Sequence, residues 1–105
     1  MTQVHVYKTR ALNIVQHLLN CSGKQARSFI QRSVLSLTPE DFAHTIELPN
    51  GQAHDVYGKV IADEGWYLKI EININDHQPG IVSCHPAEHD LRTRRGMIPR
   101  GRRSE

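Results

Sequence analysis

Side chains that can carry acid–base chemistry are concentrated between His44 and His85. Imidazoles accept and donate protons near neutral pH, the Tyr67 phenol can donate one, and Lys59 and Lys69 supply positive charge. Cleavage of RNA by its own 2′-hydroxyl needs these groups, because a base removes the 2′ proton, cations stabilise the phosphorane and an acid protonates the 5′ oxygen. The residue types therefore favour metal-free RNA cleavage, provided that the fold brings them together.

A metal site is the competing use of the same residue types. Cys84, His85 and His89 offer ligands that zinc accepts, and His77 and Glu88 lie nearby in the sequence. Adjacent residues of a strand point to opposite faces, however, so Cys84 and His85 cannot easily share one ion. The chain also lacks a C-x-x-C pair. We therefore expect no metal and no other cofactor.

The segment that must position these residues reads as three consecutive strands. Each run is rich in β-branched and aromatic residues and is bounded by turn residues, at 63–65 and 75–80; the runs span 55–61, 66–74 and 81–85. In the middle run the even positions are apolar and the odd positions, which include Tyr67 and Lys69, are polar. This pattern predicts an antiparallel meander with one face to bury and one uncovered polar face.

Helices are expected before the strands. Apolar residues recur at helical spacing from Ala11 to Leu19, which predicts a helix over 8–20 that Gly23 should stop. A shorter pattern predicts a helix over 25–35. Thr38-Pro39 then begins a third helix, expected to reach about His44 before a turn at 48–51. The predicted fold is α+β in two layers, with N-terminal helices packed on an antiparallel sheet.

Length and composition indicate one soluble domain. A chain of 105 residues can bury one core, so we expect residues 1–105 to form a single domain. No apolar run approaches the roughly 20 residues that span a bilayer, and the N-terminus lacks a signal-peptide core. We therefore expect a cytoplasmic protein with no membrane partner. In that compartment Cys21 and Cys84 are expected to be buried thiols.

Charge is distributed unevenly along the chain. Residues 1–91 hold seven basic and ten acidic side chains, a sum of −3, whereas residues 92–105 hold six arginines and one glutamate, a sum of +5. A basic C-terminal tail suits a phosphate backbone or an acidic protein. The alternative interpretation is a solvated, partly flexible terminus that aids solubility.

Four short blocks resemble a known family. Thr38-Pro-Glu-Asp-Phe, Asp55-Val-Tyr-Gly-Lys, Tyr67-Leu-Lys-Ile and Ile81-Val-Ser-Cys-His-Pro-Ala-Glu resemble blocks of the MqsR-like toxins of bacterial type II toxin–antitoxin systems, which are relatives of the RelE ribonucleases. The resemblance covers residues 37–90. It implies a small α+β endoribonuclease, an mRNA interferase that cuts mRNA without a metal, inhibits growth and is neutralised by a cognate antitoxin.

The resemblance places the family's catalytic positions at His44, His54, Tyr67 and His85. The tyrosine is kept, whereas the other three positions carry lysine, glutamine and lysine in MqsR itself. All three replacements are histidines, which transfer protons well near pH 7. We expect His85 to be the leading proton-transfer residue and Tyr67 to place or protonate a phosphate oxygen. His54 or His44 would take the second proton role, and Glu88 would orient His85.

Basic residues are expected to hold the RNA. Lys59 and Lys69 would supply charge to the scissile phosphate or its neighbour. Contacts to the RNA phosphate backbone would continue at Arg92, Arg94 and Arg95. These contacts would raise the affinity for RNA without reading its sequence. The alternative is a non-catalytic module that binds RNA or a partner protein through the basic tail, in which case the histidines could be changed freely.

Overall fold

A computed structural model of the chain describes residues 6–7, 9–72 and 79–101. Two helices, α1 (Thr9–Leu19) and α2 (Gly23–Leu35), are followed by one 3₁₀ turn at Pro39–Asp41. The strands are β1 (Val6–Tyr7), β2 (Phe42–Glu47), β3 (Ala53–Ile61), β4 (Glu64–Ile72), β5 (Pro79–Pro86), β6 (Leu91–Thr93) and β7 (Gly96–Ile98). The α+β class predicted from the sequence is confirmed.

The main sheet has the strand order β1-β5-β4-β3-β2. Strands β2 to β5 are antiparallel and include the predicted meander, whereas β1 adds to β5 in parallel. Ala62 and Asp63 form the β3–β4 turn, with φ values of 52° and 66° that suit the twist of a two-residue hairpin. Of the second predicted turn, 75–78 lie outside the described residues, and Pro79 and Gly80 belong to β5.

Both helices pack on one face of the sheet. The alternation predicted for the middle strand is confirmed over 66–71, with Trp66 and Leu68 buried and Tyr67 and Lys69 facing the other way, half-buried. Burying these apolar side chains against the helices is the main stabilising contribution. The core residues are Ala11, Val15, Ala26, Ile30, Trp66, Leu68, Ile70, Ile81 and Cys84.

The junction between α1 and α2 differs from the prediction. Asn20, in the left-handed conformation at φ 51°, follows the last residue of α1. The Ser22 side chain accepts a hydrogen bond from the Gln25 backbone N–H (3.1 Å), and the Gln25 side chain accepts one from the Ser22 N–H (3.0 Å). This capping box starts α2 at Gly23. The prediction that Gly23 stops α1 is therefore wrong.

The third predicted helix is replaced by a strand. Thr38 and Pro39 begin the 3₁₀ turn as expected, but the chain leaves it at Asp41 and pairs with β3 as β2. The prediction of a helix reaching His44 is wrong, because a one-turn helix gains few hydrogen bonds whereas six extended residues can pair with a neighbouring strand. The turn predicted at 48–51 is confirmed by the bond from Gly51 N to Leu48 O (3.0 Å).

Residues 91–101, here called the C-terminal arm, include a hairpin that the sequence pattern does not indicate. The inner side chains of the hairpin lie on the face of the sheet opposite the helices. They pack closely on Gly58, since a Cβ added to this glycine would be 2.6 Å from Leu91 Cδ2. Thr93 and Ile98 are buried beside it, whereas Met97 is exposed. The arm adds a third layer, so the predicted uncovered polar face is wrong at this end.

The two cysteines are both free thiols. Cys84 is buried in the core, and Cys21 is half-buried and packs against the core. Within residues 9–72 and 79–101, no helix has both the length and the apolar composition needed to cross a membrane.

Candidate active site

Tyr67 and His85, here called the stacked pair, lie side by side on the polar face of the sheet. They are direct cross-strand neighbours on β4 and β5, which places their side chains on one face. Their ring centroids are 4.9 Å apart and their planes differ by 14°. The expected convergence of these two side chains is observed.

One hydrogen bond sets the tautomer of His85. Its Nδ1 lies 2.8 Å from the carbonyl oxygen of Pro86. A carbonyl oxygen only accepts, so Nδ1 carries the proton and donates it to this bond. In the neutral ring, Nε2 is then the nitrogen whose lone pair can take a proton from a ligand. Glu88, expected to orient His85, makes no hydrogen bond to it among the described residues, and Pro86 performs that role.

The Tyr67 phenol is held in its protonated form. Burial raises the pKa of Tyr67 above its ordinary value, and the negative charge of Glu88 raises it further. Both effects disfavour tyrosinate, the first by desolvation and the second by charge repulsion. Tyr67 is therefore a proton donor at neutral pH, and the charge of Glu88 acts on this phenol.

The stacked pair lines a pocket of about 340 Å³, a volume in the range of ligand sites. The pocket lies between α1, the polar face of β4 and β5, and the segment that leads into β6. Two cations, Arg10 and Lys69, share it with the pair, and the side chains of Glu88 and Asp90 lie on its wall; the remaining lining residues are Ala11, Ile14, Val82, Ser83, His89 and Leu91. The two cations beside the acid–base pair can contact an anion, and the two carboxylates on the wall offset their charge.

Arg10 was not identified from the sequence. It is the second residue of α1, and only the packing of α1 along β5 brings it to the pocket. One signal was available: the first turn of α1 has no acidic residue, and an arginine at the positive end of a helix is electrostatically unfavourable. Ser83 and Asp90 were also missed, and His89 was considered only as a metal ligand.

His54 and His44 lie away from the stacked pair. His54 Nε2 is 3.4 Å from Glu71 Oε2, and Glu71 is four residues from Tyr67 along β4, or about 13 Å. His44 is exposed on β2, two strands away from Lys69 in the same row of the sheet, or about 10 Å. The structure therefore does not place either histidine beside the stacked pair, and their predicted proton role stays a prediction.

Lys59 lies on the other face of the sheet. It is in register with Trp66, on the face that packs on the helices, and not with Lys69. Its Nζ donates to Ser36 O at 3.2 Å and lies 3.6 Å from Asp41 Oδ2. The prediction that Lys59 shares the polar face is wrong, whereas Lys69 does line the pocket.

Arg95 is also engaged within the fold. Its Nε lies 3.3 Å from Asp41 Oδ1, and its Nη2 donates to Thr38 Oγ1 at 3.3 Å. Burial would by itself raise the pKa of the Asp41 carboxyl, but the Thr38 N–H and the charges of Lys59 and Arg95 together hold that pKa below its ordinary value. Lys59 and Arg95 thus neutralise a buried carboxylate, which contradicts their expected place on an RNA track.

The other two arginines of the predicted track remain accessible. The Arg94 guanidinium lies 5.1 Å from the centre of the Phe42 ring, at a cation–π distance, and its outer side is exposed. Arg92 is exposed on β6 and pairs with Met97, on the side of the hairpin that faces away from the sheet.

The potential metal ligands are separated by the sheet. Cys84 lies in the core, on the face opposite His85, as strand alternation requires. Among residues 9–72 and 79–101, no three His, Cys, Asp or Glu side chains form a group that could hold a metal ion.

Comparison with known proteins gives no relative. No protein-family model matches the chain, and neither a curated protein nor a solved structure is significantly similar to it. The pocket's own residues define its chemistry: an acid–base pair, two cations, two carboxylates and a partly enclosed volume.

Proposed function

We propose that this chain is a metal-independent endoribonuclease of the MqsR-like toxin type, which cleaves mRNA and is neutralised by a cognate antitoxin. The observation that supports the proposal is the stacked pair, placed in one pocket with Arg10 and Lys69. An imidazole with an unengaged Nε2, a protonated phenol and two cations are what cleavage by the 2′-hydroxyl needs.

The two proton roles fall to the stacked pair. His85 Nε2 removes the proton from the 2′-hydroxyl, since its Nδ1–H is already bonded to Pro86. The 2′ oxygen attacks the phosphorus, and the bond to the 5′ oxygen breaks. Tyr67 gives its proton to that leaving oxygen, because an alkoxide binds a proton more tightly than a phenolate does. The products are a 2′,3′-cyclic phosphate and a 5′-hydroxyl, and water returns the proton from His85 to Tyr67.

Arg10 and Lys69 act on the phosphate itself. The phosphorane carries more negative charge than the ground-state diester, so cations fixed in the pocket stabilise the transition state more than the substrate. Arg10 offers a fork of N–H donors to two phosphate oxygens, and Lys69 provides a point charge.

The test uses the full-length purified chain with end-labelled RNA in the presence of a chelator. We expect cleavage products with cyclic phosphate and 5′-hydroxyl ends, and no cut where the preceding 2′-hydroxyl is methylated. His85→Ala and Tyr67→Phe should each reduce the rate by about 10²–10⁴-fold, and Arg10→Ala by roughly 10²-fold. The matched controls His44→Ala and His54→Ala should keep the wild-type rate.

Two results would overturn the proposal: intact RNA after incubation with folded wild-type chain, or equal rates for wild type and His85→Ala. In bacteria, expression of the wild-type chain should arrest growth, and His85→Ala should relieve the arrest. The alternative of a binding module is tested by substituting Arg92→Gln and Arg94→Gln. Trimming the whole arm is not suitable, because it would also remove the β6–β7 hairpin.

A further inference from the structure

The helical layer of this protein contains no acidic residue. Residues 1–39 hold two lysines and three arginines and no Asp or Glu, a sum of +5, whereas residues 40–91 hold two lysines and ten acids, a sum of −8. Both helices fall in the first segment and the meander in the second. The fold thus places a helical layer without acids beside strands whose acids outnumber their lysines.

Three of these cations share the outer face of α2. Lys24, Arg27 and Arg32 are exposed, whereas Ala26 and Ile30 point into the core. At 1.5 Å per residue the three positions span about 12 Å along the helix. We call Lys24, Arg27 and Arg32 the α2 basic face.

The α2 basic face lacks a counter-charge within the part of the chain that the structure describes. None of its three side chains forms an ion pair there, in contrast to Lys59 and Arg95. The only hydrogen bond that the structure gives them runs from Arg32 Nε to Ser28 O, at 3.3 Å within the same helix. Three like charges on one helix repel one another, so their proximity favours an anionic partner.

We propose that the α2 basic face binds the phosphate backbone of double-helical RNA. A polyanion complements the charge, and the exposed surface of α2 has no aromatic side chain on which unpaired bases could stack. Phe29, the aromatic residue of α2, is half-buried, with its ring centre 5.0 Å from that of Trp66. A protein partner is less well matched, since Leu35 is the one large apolar side chain exposed on this helix.

The choice of RNA rests on the proposed function, but the contact with a duplex backbone does not. The α2 basic face is on the helix side of the sheet, and the stacked pair is on the other side. A duplex bound to α2 is therefore a different segment from the strand that enters the pocket. It holds the protein near folded RNA without occupying the site of cleavage.

The experiment measures affinity for an RNA duplex of about 20 base pairs as a function of salt, in the His85→Ala chain so that RNA stays intact. The test variant combines Lys24→Gln, Arg27→Gln and Arg32→Gln. The control, Arg100→Gln, removes an exposed charge from the C-terminal arm at a position outside the arginines expected to hold RNA. Glutamine forms helices well, and circular dichroism checks that each variant is folded.

At about 0.9 released ions per contact, three contacts contribute about −2.7 to the slope of log affinity against log salt. The test variant should lose that part of the slope, which corresponds to about 40-fold in affinity between roughly 50 and 200 mM salt. The control should change the slope little, and Arg27→Lys with Arg32→Lys should keep it. A DNA duplex that binds as tightly supports a backbone contact but not a preference for RNA.

The proposal is overturned if the test variant and the control lose the same slope, or if single-stranded RNA binds more tightly than the duplex. Salt-sensitive binding of polyglutamate without binding of the duplex would assign the face to an acidic protein instead. Cleavage of a short single strand, measured with His85 intact, should be unchanged in the test variant. Duplex binding without any cleavage would leave this inference standing and refute only the proposed function.

Discussion

Replacing Gly65 with alanine should detach the C-terminal arm from the sheet. A Cβ at Gly65 would overlap the carbonyl oxygen of Pro99 and lie 2.9 Å from the carbonyl carbon, closer than side chains approach backbone. Reaching ordinary contact at 3.4 Å requires the carbon to move by 3.4 − 2.9 = 0.5 Å, and the oxygen by more. The clash is with backbone, so a rotamer change cannot relieve it.

The displacement breaks specific hydrogen bonds. Ala87 N donates to Gly65 O at 2.9 Å, and Gly101 N donates to Ala87 O at 2.7 Å. Overpacking typically costs about 1–3 kcal/mol, and each lost hydrogen bond about 0.5–1.5 kcal/mol. We expect Gly65→Ala to lower the free energy of unfolding by about 2–4 kcal/mol, or Tm by roughly 10–20 °C.

Urea unfolding followed by circular dichroism measures this loss. The matched control is Gly23→Ala, whose Cβ would meet only the Gln16 side chain, at 3.8 Å. That variant should be within about 1 kcal/mol of wild type. If Gly65→Ala unfolds within about 0.5 kcal/mol of wild type, the close packing of the arm on Gly65 is refuted.

Two further predictions concern titrating groups. Glu88→Gln removes a negative charge near Tyr67, so the pKa of the phenol should fall toward its ordinary value while staying raised by burial. Spectrophotometric titration, with Tyr67→Phe as the reference, measures this shift. An unchanged pKa would exclude the electrostatic effect of Glu88 on Tyr67. Asp41→Asn leaves Lys59 and Arg95 without their carboxylate partner and should cost about 1–3 kcal/mol at neutral pH, less than a fully buried pair because Arg95 is half exposed. The folded-state pKa of Asp41 is below the unfolded value near ~3.9, so this stabilisation is present above about pH 4 and lost as pH falls through the folded-state pKa. The difference in unfolding free energy between wild type and Asp41→Asn should therefore shrink in acid, and a constant difference would contradict the assignment.

The sequence predicted what depends on local pattern. Strict alternation from Trp66 to Glu71 identified the buried and polar faces of β4, and the same period placed Cys84 and His85 on opposite faces of β5. Once the meander is known, pairing between adjacent strands brings Tyr67 near His85. These two residues were therefore accessible to sequence reasoning.

Contacts between distant segments were not accessible. Arg10 reaches the pocket because α1 packs along β5, and Arg95 is drawn to a carboxylate 54 residues away along the chain. Lys59 was assigned to the wrong face because its strand was not placed in register with β4, where it lies opposite Trp66. The hairpin at 91–98 has strands of three residues, too short to show a period.

Ala87 is held by two backbone hydrogen bonds, one to Gly65 and one from Gly101, and this arrangement also concerns biosynthesis. Chains leave the ribosome from the N-terminus, and Ala87, which precedes the pocket-lining residues Glu88 to Leu91, is bonded to Gly101, 14 residues further along the chain. Until Gly101 has emerged, a nascent chain therefore carries both rings of the stacked pair but lacks the hydrogen bond that holds Ala87 from this side.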